Sequence, residues 1–522
     1  MAATECPCSD GSHVVSEPHP RTVVVLAAGE GKRMKSSLPK VLHPLLGRTL
    51  LGHVLNAAEP LVAQRTMVVV GHGADQVRTH LAEVAPESTA VFQAEQLGTG
   101  HAVRIALEAA PEATGTVVVL NGDVPLLRPE TVRALVAAHE GEQAAATVLA
   151  AQVPDPTGLG RIVRDDAGRL RQIVEQRDAS PEQLTIREIN AGIYAFDATR
   201  LREVLGKLST DNDQGEEYLT DVFELLVAAG EPVAVHLAAD HTETLGCNDR
   251  VELAALRRLL RDRVNERWMR AGVSLLDPAT TWIDVTVALD RDAVVDQNTQ
   301  LQGGSVVGSG AVVGPDVTLI DTVVHAGATV LRSHAVGAEV GPGASVGPYA
   351  YLRPDSRLAE KSKVGTFVEV KNAEVGAGAK VPHLSYVGDA TIGARANIGA
   401  ATIFVNYDGV NKHRTVVGEA AFVGCDTSLI APVEVGAGAY VAAGSAIATD
   451  VPPGALGVTR APQRNIDGWV ARKRPGTVSA QAAERAVQSA SSEGSAAREG
   501  EAIHGTAESV GTAAEAGDTA TE

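Results

Sequence analysis

Through the second half of the chain, an aliphatic residue followed by a small one returns every six positions. Val307-Gly308, Val313-Gly314, Val346-Gly347 and Val364-Gly365 mark the early part, and Ile392-Gly393, Ile398-Gly399, Val417-Gly418, Val423-Gly424 and Val435-Gly436 continue it. Leu429-Ile430, Val441-Ala442 and Ile447-Ala448 keep the same phase. A six-residue period is the sequence sign of a parallel β-helix: the aliphatic residue points inward and its small neighbour allows the corner. Three hexapeptides close one triangular coil, so 284–460 predicts about ten coils. A segment merely rich in Gly, Ala and Val would not hold phase over that length. Aromatic residues are only 3% of the chain against 44% hydrophobic, which fits an aliphatic core.

The first half has a different texture. Strand-like runs at 23–27, 66–70, 90–93 and 116–123 alternate with helical spacing at 50–62 and 101–110. That order predicts a Rossmann-like α/β domain over 21–247, a parallel sheet covered by helices, with ligands at the carboxyl ends of its strands. The first strand runs into a glycine turn rich in cations, "LAAGEGKRMK". It is not a P-loop, because Leu26 stands at the first glycine position and Arg33 at the Ser/Thr position. Nor is it a dinucleotide fingerprint, because Met34 occupies the third glycine position.

Between the halves, 248–272 reads as an amphipathic linker helix with Leu253, Leu256, Leu260, Val264 and Trp268 on one stripe and Gly272 as its stop. The β-helix domain is then expected over 273–474. Residues 1–20 read as a loose arm. Residues 475–522 hold eight acids and two arginines and read as a disordered acidic tail. The net charge of −19 argues against broad nucleic-acid binding. The four cysteines form no disulfide pattern, and Cys6 and Cys8 lack zinc-site spacing. With no apolar run of spanning length, the expectation is a cytoplasmic protein with no membrane contact.

The opening loop, together with "QAEQLGTGHAV" (93–103) and "LNGDVPLL" (120–127), resembles the sugar-nucleotide pyrophosphorylases. Adding "GLGRIV", "IVEQRDA", "EINAGIY", "GEEYLTDV" and the hexapeptide domain, residues 22–473 resemble the bifunctional N-acetylglucosamine-1-phosphate uridylyltransferase/glucosamine-1-phosphate N-acetyltransferase family. The resemblance implies a left-handed β-helix and synthesis of UDP-N-acetylglucosamine for peptidoglycan and the cell envelope. The β-helix would acetylate glucosamine-1-phosphate from acetyl-CoA. The first domain would then transfer uridylyl from UTP, releasing pyrophosphate.

Both chemistries suit the residue types present. In the first site Arg33 and Lys40 would face the triphosphate, where positioning and charge neutralisation supply most of the catalysis. Asp123, at a strand end, would hold Mg²⁺, a hard ion that prefers carboxylate oxygen. The resemblance adds Asn248 as a second metal ligand and places Leu26, Ala27, Ala28 and Gly29 at the nucleotide. It assigns Gln93, Gly98 and Thr99 to the uracil side, and Gly160, Glu175 and Asn190 to N-acetylglucosamine. In the second site His383 would be the general base, because an imidazole side chain can take up a proton near neutral pH. Arg353 and Lys371 would clamp the sugar phosphate. By resemblance, Tyr386 and Asn397 contact the sugar, while Ala400, Asn406, Tyr407, Lys412, Cys425, Ala443 and Arg460 contact acetyl-CoA. Lys32 and Cys425 depart from the family pattern, where Thr or Ser and a serine are usual. Trp469 is expected to cover acetyl-CoA on a neighbouring chain.

The resemblance also implies a homotrimer. The rival reading is a monofunctional pyrophosphorylase whose β-helix only builds oligomers; it would need neither His383 nor the Arg353 and Lys371 pair. A catalytically dead subunit would be expected to lose Arg33, Lys40 or Asp123, and all three are present.

Overall fold

The computed structural model describes residues 19–502 and divides the chain into two compact units, Met1–Thr459 and Arg460–Glu522. Cys6, Cys8 and nearly all of the expected N-terminal arm lie outside the described residues.

In the first unit, the valine run near the start becomes the strand Arg21–Ala27, with Val23, Val24 and Val25 fully buried. Side chains alternate across a strand. Val23 and Val25 therefore pack with Leu51, Val77 and Leu135 on one face, while Val24 packs with Val103, Ala106 and Phe223 on the other. Helices cover both faces, which is why the run is continuous rather than alternating. The strand lies between Thr116–Asn121 and Arg65–Val70, parallel to both, so the sheet order reverses at its carboxyl end.

The sheet is mixed rather than parallel as the sequence leads one to expect. Glu188–Asp197 runs antiparallel between Thr116–Asn121 and Ala146–Gln152. The chain between Gln152 and Glu188 holds a hairpin, Arg161–Arg164 with Leu170–Val174, and no crossover helix. Without a crossover a returning strand pairs antiparallel.

The expected linker is the helix Arg250–Arg270, capped at its start by the Asp249 carboxylate, which accepts from Val251 and Glu252 N–H. Gly272 follows with φ +98°, a left-handed stop. Leu253, Leu256, Leu260 and Val264 are buried in the same cluster as the interior of the first coils.

From Ser274–Leu275 to Leu456–Gly457 the chain winds as the left-handed parallel β-helix. One face stacks eleven short strands. Val295, Val313, Val330, Val346, Val364 and Val381 follow each other in register along it, each at most 2% exposed. Burying such a side chain stabilises by about 1.5–3 kcal/mol, so a column of them outweighs the weak hydrogen bonding of two-residue strands. Most coils repeat within narrow limits: Lys363 pairs with Lys380, and Lys380 with Asn397. Asn397 then pairs with Phe422, a step of 25 residues, because 406–414, between the strands Ile403–Val405 and Thr415–Val417, leaves the coil as a loop.

The second unit contains the helices Trp469–Lys473 and Val478–Ala502. The second of these corrects the expectation of disorder from 475. Its many Ala, Glu and Gln residues deny it a large core, yet they are strong helix formers. The tail beyond Ala502 lies outside the described residues.

Candidate functional site

At the switch point, the first strand hands over to Ala28, Gly29 and a single 3₁₀ turn, Lys32–Met34, entered through Gly31 at φ +66°. The P-loop reading fails structurally as well, since no α-helix begins there. Gly31 is required for space too: a Cβ on it would lie 2.7 Å from the Lys40 Cβ. Lys40 starts a second 3₁₀ turn, and its Nζ reaches the Asp123 carboxylate at 2.5 Å and the Asn248 amide oxygen at 3.4 Å. Asn248 reaches this point because the neighbouring Cys247 N–H donates to the Asp123 carbonyl at 3.0 Å. The thiol of Cys247 is buried, and burial pushes its pKa up to about 11, so it stays neutral.

Two adjoining clefts share Asn248. One, about 240 Å³, is lined by Arg33 and Lys40. The other, about 250 Å³, brings together Leu26, Thr99, Asp123, Gly160, Glu175 and Asn190. Asn190 is held from both sides, donating to the Tyr194 hydroxyl at 2.8 Å and accepting from Gly192 N–H at 2.9 Å. Burial raises the Glu175 pKa, and the Asp178 and Asp221 charges raise it further. Asp221 is pushed up to about 6 by burial, then by Glu224 and Asp178. Beside this cleft the buried Gln93 donates to the Gly98 carbonyl at 3.2 Å and contacts His101 Nδ1 at 3.1 Å. Gly98 takes φ +113°, and a Cβ there would strike the Glu217 carbonyl oxygen at 2.4 Å. Gln96, quoted in the motif but given no role from sequence, donates to the Ala28 carbonyl at 2.7 Å and so ties the segment before the helix Thr99–Glu108 to the glycine turn after the first strand.

Among the described residues no group of three His, Cys, Asp or Glu side chains could form a metal cage. Asp123 and Asn248 instead offer two hard oxygens converging on one point, which Lys40 Nζ marks. That donor set fits a Mg²⁺ ion that keeps water and substrate phosphate as its other ligands.

The second set lies on the β-helix around a residue that sequence reasoning passed over. Asp389, 8% exposed and at φ +48°, accepts from Asn372 Nδ2 at 2.6 Å and from Asn406 Nδ2, with Lys371 Nζ at 3.8 Å. Asn406 also reaches the Tyr386 hydroxyl at 3.4 Å. Burial alone would raise the Asp389 pKa; the Asn372 and Asn406 hydrogen bonds and the Lys371 charge outweigh it and hold the carboxyl below its usual range. Lys412 lies against Lys371, and that contact and like charge lower its pKa. Two ammonium groups side by side form a ready place for an anion. Arg353, by contrast, is engaged with Glu369 at 2.9 Å.

His383, Ala400, Cys425 and Ala443 occupy one corner of successive coils. The rungs beside them are Ala401 N–H to the His383 carbonyl, Asp426 N–H to that of Ala400 and Gly444 N–H to that of Cys425, at 2.8–3.2 Å. His383 and Cys425 are exposed at this edge. Asn397 is on the coil between them, its backbone paired with Lys380 and Phe422. Tyr407 stands on the protruding loop, bridged to Lys412. Arg460 and Trp469 belong to the second unit.

A Rossmann-like sheet with cations and hard oxygens at its switch point, continued by a left-handed β-helix, defines a nucleotidyltransferase with an appended hexapeptide-repeat domain. The MobA-like NTP transferase domain matches residues 23–190. Over 476 residues the chain is 58% identical to the bifunctional protein GlmU of Thermobifida fusca, covering 90% of this chain and 98% of that one. It is 57% identical over 481 residues to the same protein of Streptomyces coelicolor, with 92% and 100% covered. For Corynebacterium diphtheriae the identity is 50% over 484 residues, again 92% and 100%. The chain belongs to the bifunctional GlmU family.

Proposed function

We propose that the chain makes UDP-N-acetylglucosamine by two reactions on its two scaffolds. On the β-helix, the amine of glucosamine-1-phosphate attacks the acetyl-CoA carbonyl, the C–S bond breaks and CoA leaves as the thiol. His383 takes the amine proton, Lys371 and Arg353 hold the sugar phosphate, and Tyr386 and Asn397 hold the ring. The corner column of Ala400, Cys425 and Ala443, with Asn406, Tyr407 and Lys412, holds acetyl-CoA.

In the first domain, an oxygen of the N-acetylglucosamine-1-phosphate attacks the α-phosphorus of UTP and pyrophosphate leaves. Arg33 and Lys40 orient the triphosphate, Gln93, Gly98 and Thr99 select uracil, and Gly160, Glu175 and Asn190 hold the sugar. Asp123 and Asn248 would hold Mg²⁺, which supplies Lewis-acid neutralisation of phosphate charge when bound. Sites between chains of a homotrimer complete the second reaction, and the substrates place the enzyme in the cytoplasm. Among the described residues no helix is long and apolar enough to cross a membrane.

One observation carries the two-reaction reading over the scaffold-only alternative. The β-helix gathers Lys371, Lys412, Asn406 and Tyr386 around one buried carboxylate, which oligomerisation does not need. The test is to assay both half-reactions. Asp123→Ala should abolish uridylyl transfer and leave acetyl transfer within about threefold, since the residues stand on separate domains. Loss of both in a folded variant would refute the division.

A further inference from the structure

The two cations expected at the triphosphate are in different states. Arg33 is exposed and, among the described residues, forms no ion pair. Lys40 is already spent: its Nζ sits 2.5 Å from Asp123 Oδ2 and 3.4 Å from Asn248 Oδ1, the two oxygens that would hold the metal. Both side chains of the pair are largely shielded, 15% and 20% exposed. The pair is set up by backbone: Pro39 and the 3₁₀ turn aim Lys40, Gly31 leaves it room, and Cys247 N–H fixes Asp123.

We propose that Lys40 is a tethered cation that holds the metal position of the free enzyme, so that a divalent ion enters only after a nucleotide's phosphates have drawn the ammonium away. The inference rests on the uridylyl-transfer reading above and extends it to the order of binding. A divalent ion cannot share two oxygens with an ammonium at hydrogen-bond distance, because like charges at that range repel strongly in a shielded cleft. Moving Lys40 without an anion to receive it would leave the ammonium without its partner in a shielded cleft, which is costly. A triphosphate removes the cost by offering Lys40 new oxygens, while Arg33 is free to recruit it. Asp123 and Asn248 then become available together. Lys40 thus serves twice, as counter-ion before the nucleotide arrives and as phosphate ligand afterwards.

Mn²⁺ binding to the full-length protein, followed by water-proton relaxation so that protein-held ion is distinguished from ion on free UTP, tests this without turnover. The wild-type protein should bind Mn²⁺ weakly alone and at least about tenfold more tightly with UTP, the scale of one charge-assisted contact. Lys40→Met and Lys40→Gln, each checked for an unchanged melting curve, should bind Mn²⁺ without UTP at least about tenfold more tightly than wild type. Tight Mn²⁺ binding by the free wild-type protein, or folded Lys40 variants that bind the bare ion no better, would overturn the proposal. Asp123→Asn separates the two layers: it should lose the UTP-dependent Mn²⁺ site. If it keeps that site, Asp123 is not a ligand, and both the assignment and the proposal fall.

Discussion

On the proposed assignments one carboxylate, Asp389, serves two substrates. It holds Lys371, proposed at the sugar phosphate, and Asn406, proposed at acetyl-CoA, both at Oδ2, while Oδ1 accepts from Asn372. Asp389→Asn keeps the size and tolerates φ +48°, but it removes the charge and leaves one amide group facing another. Losing a hydrogen bond to a charged group costs about 1.5–3 kcal/mol. The KM values for both glucosamine-1-phosphate and acetyl-CoA should rise about tenfold or more, as measured with each substrate varied in turn. A fall in kcat with both KM values unchanged would mean that Asp389 only supports the coil. Asp221 gives a pH prediction of the opposite kind. Its pKa is raised to about 6 by burial, so the folded state binds its proton more tightly than the unfolded chain does. Stability from this group is therefore full below the ordinary carboxylate pKa, falls as pH rises toward 6, and stays lost above it. Asp221→Asn should flatten the pH dependence of the melting temperature between about pH 4 and 6. It should also stabilise the protein near neutrality by on the order of 1 kcal/mol, discounted for partial exposure. A steeper dependence in the variant would contradict the assigned burial.

At the scale of elements, the period and its interruption carry different information. The inward column is readable from sequence because each coil repeats the same local rule, so Val346 and Val364 announce their positions without knowledge of any partner. Asp389 was not readable in that way. Its partners come from neighbouring coils, 17 residues back at Asn372 and 17 ahead at Asn406, and only the register of the finished stack brings them together. The mixed sheet was hidden for a similar reason, since strand direction depends on what lies in the connection to Glu188–Asp197. The loop at 406–414 was visible as a broken period, and the structure shows what ties it together. Asp408 accepts from Asn411 and Val410 N–H and pairs with His413 at 2.7 Å, contacts that hold its pKa down to about 2. Because the loop leaves the coil and returns, replacing 407–412 with a short glycine turn should spare the stack. The melting temperature should change by no more than about 4 °C, the effect of roughly 1 kcal/mol on a folding unit of about 150–250 residues such as the β-helix. Acetyl transfer should fall at least about a hundredfold, since Tyr407 and Lys412 go with the loop. Retained acetyl transfer would remove the loop from the site.

For the whole molecule, the question is what encloses the corner column. His383, Ala400, Cys425 and Ala443 lie along the outside of a prism whose interior is filled by aliphatic side chains, so one chain can offer only a shallow edge. A long thioester ligand needs walls on more than one side to be held and shielded from water. The edge near His383 is also flanked by exposed apolar groups, with Tyr349 and Phe367 stacked at 5.4 Å and Leu384 58% exposed. Packing prisms side by side would cover that surface and turn each edge into a cleft, with closed symmetry making every cleft alike. On this reading, the proton-accepting His383 of one chain works with acetyl-CoA contacts of another. His383→Ala and Lys412→Ala chains, each inactive in acetyl transfer on its own, should then regain part of the activity when unfolded together and reassembled. Random mixing limits the recovery to the fraction of clefts that draw an intact His383 and an intact Lys412 from different chains, so it should scale with the mixing ratio and peak near equal amounts. Mixed assemblies that form, as shown by differently tagged chains purifying together, yet recover no acetyl transfer at any ratio would mean that His383 and Lys412 act within one chain.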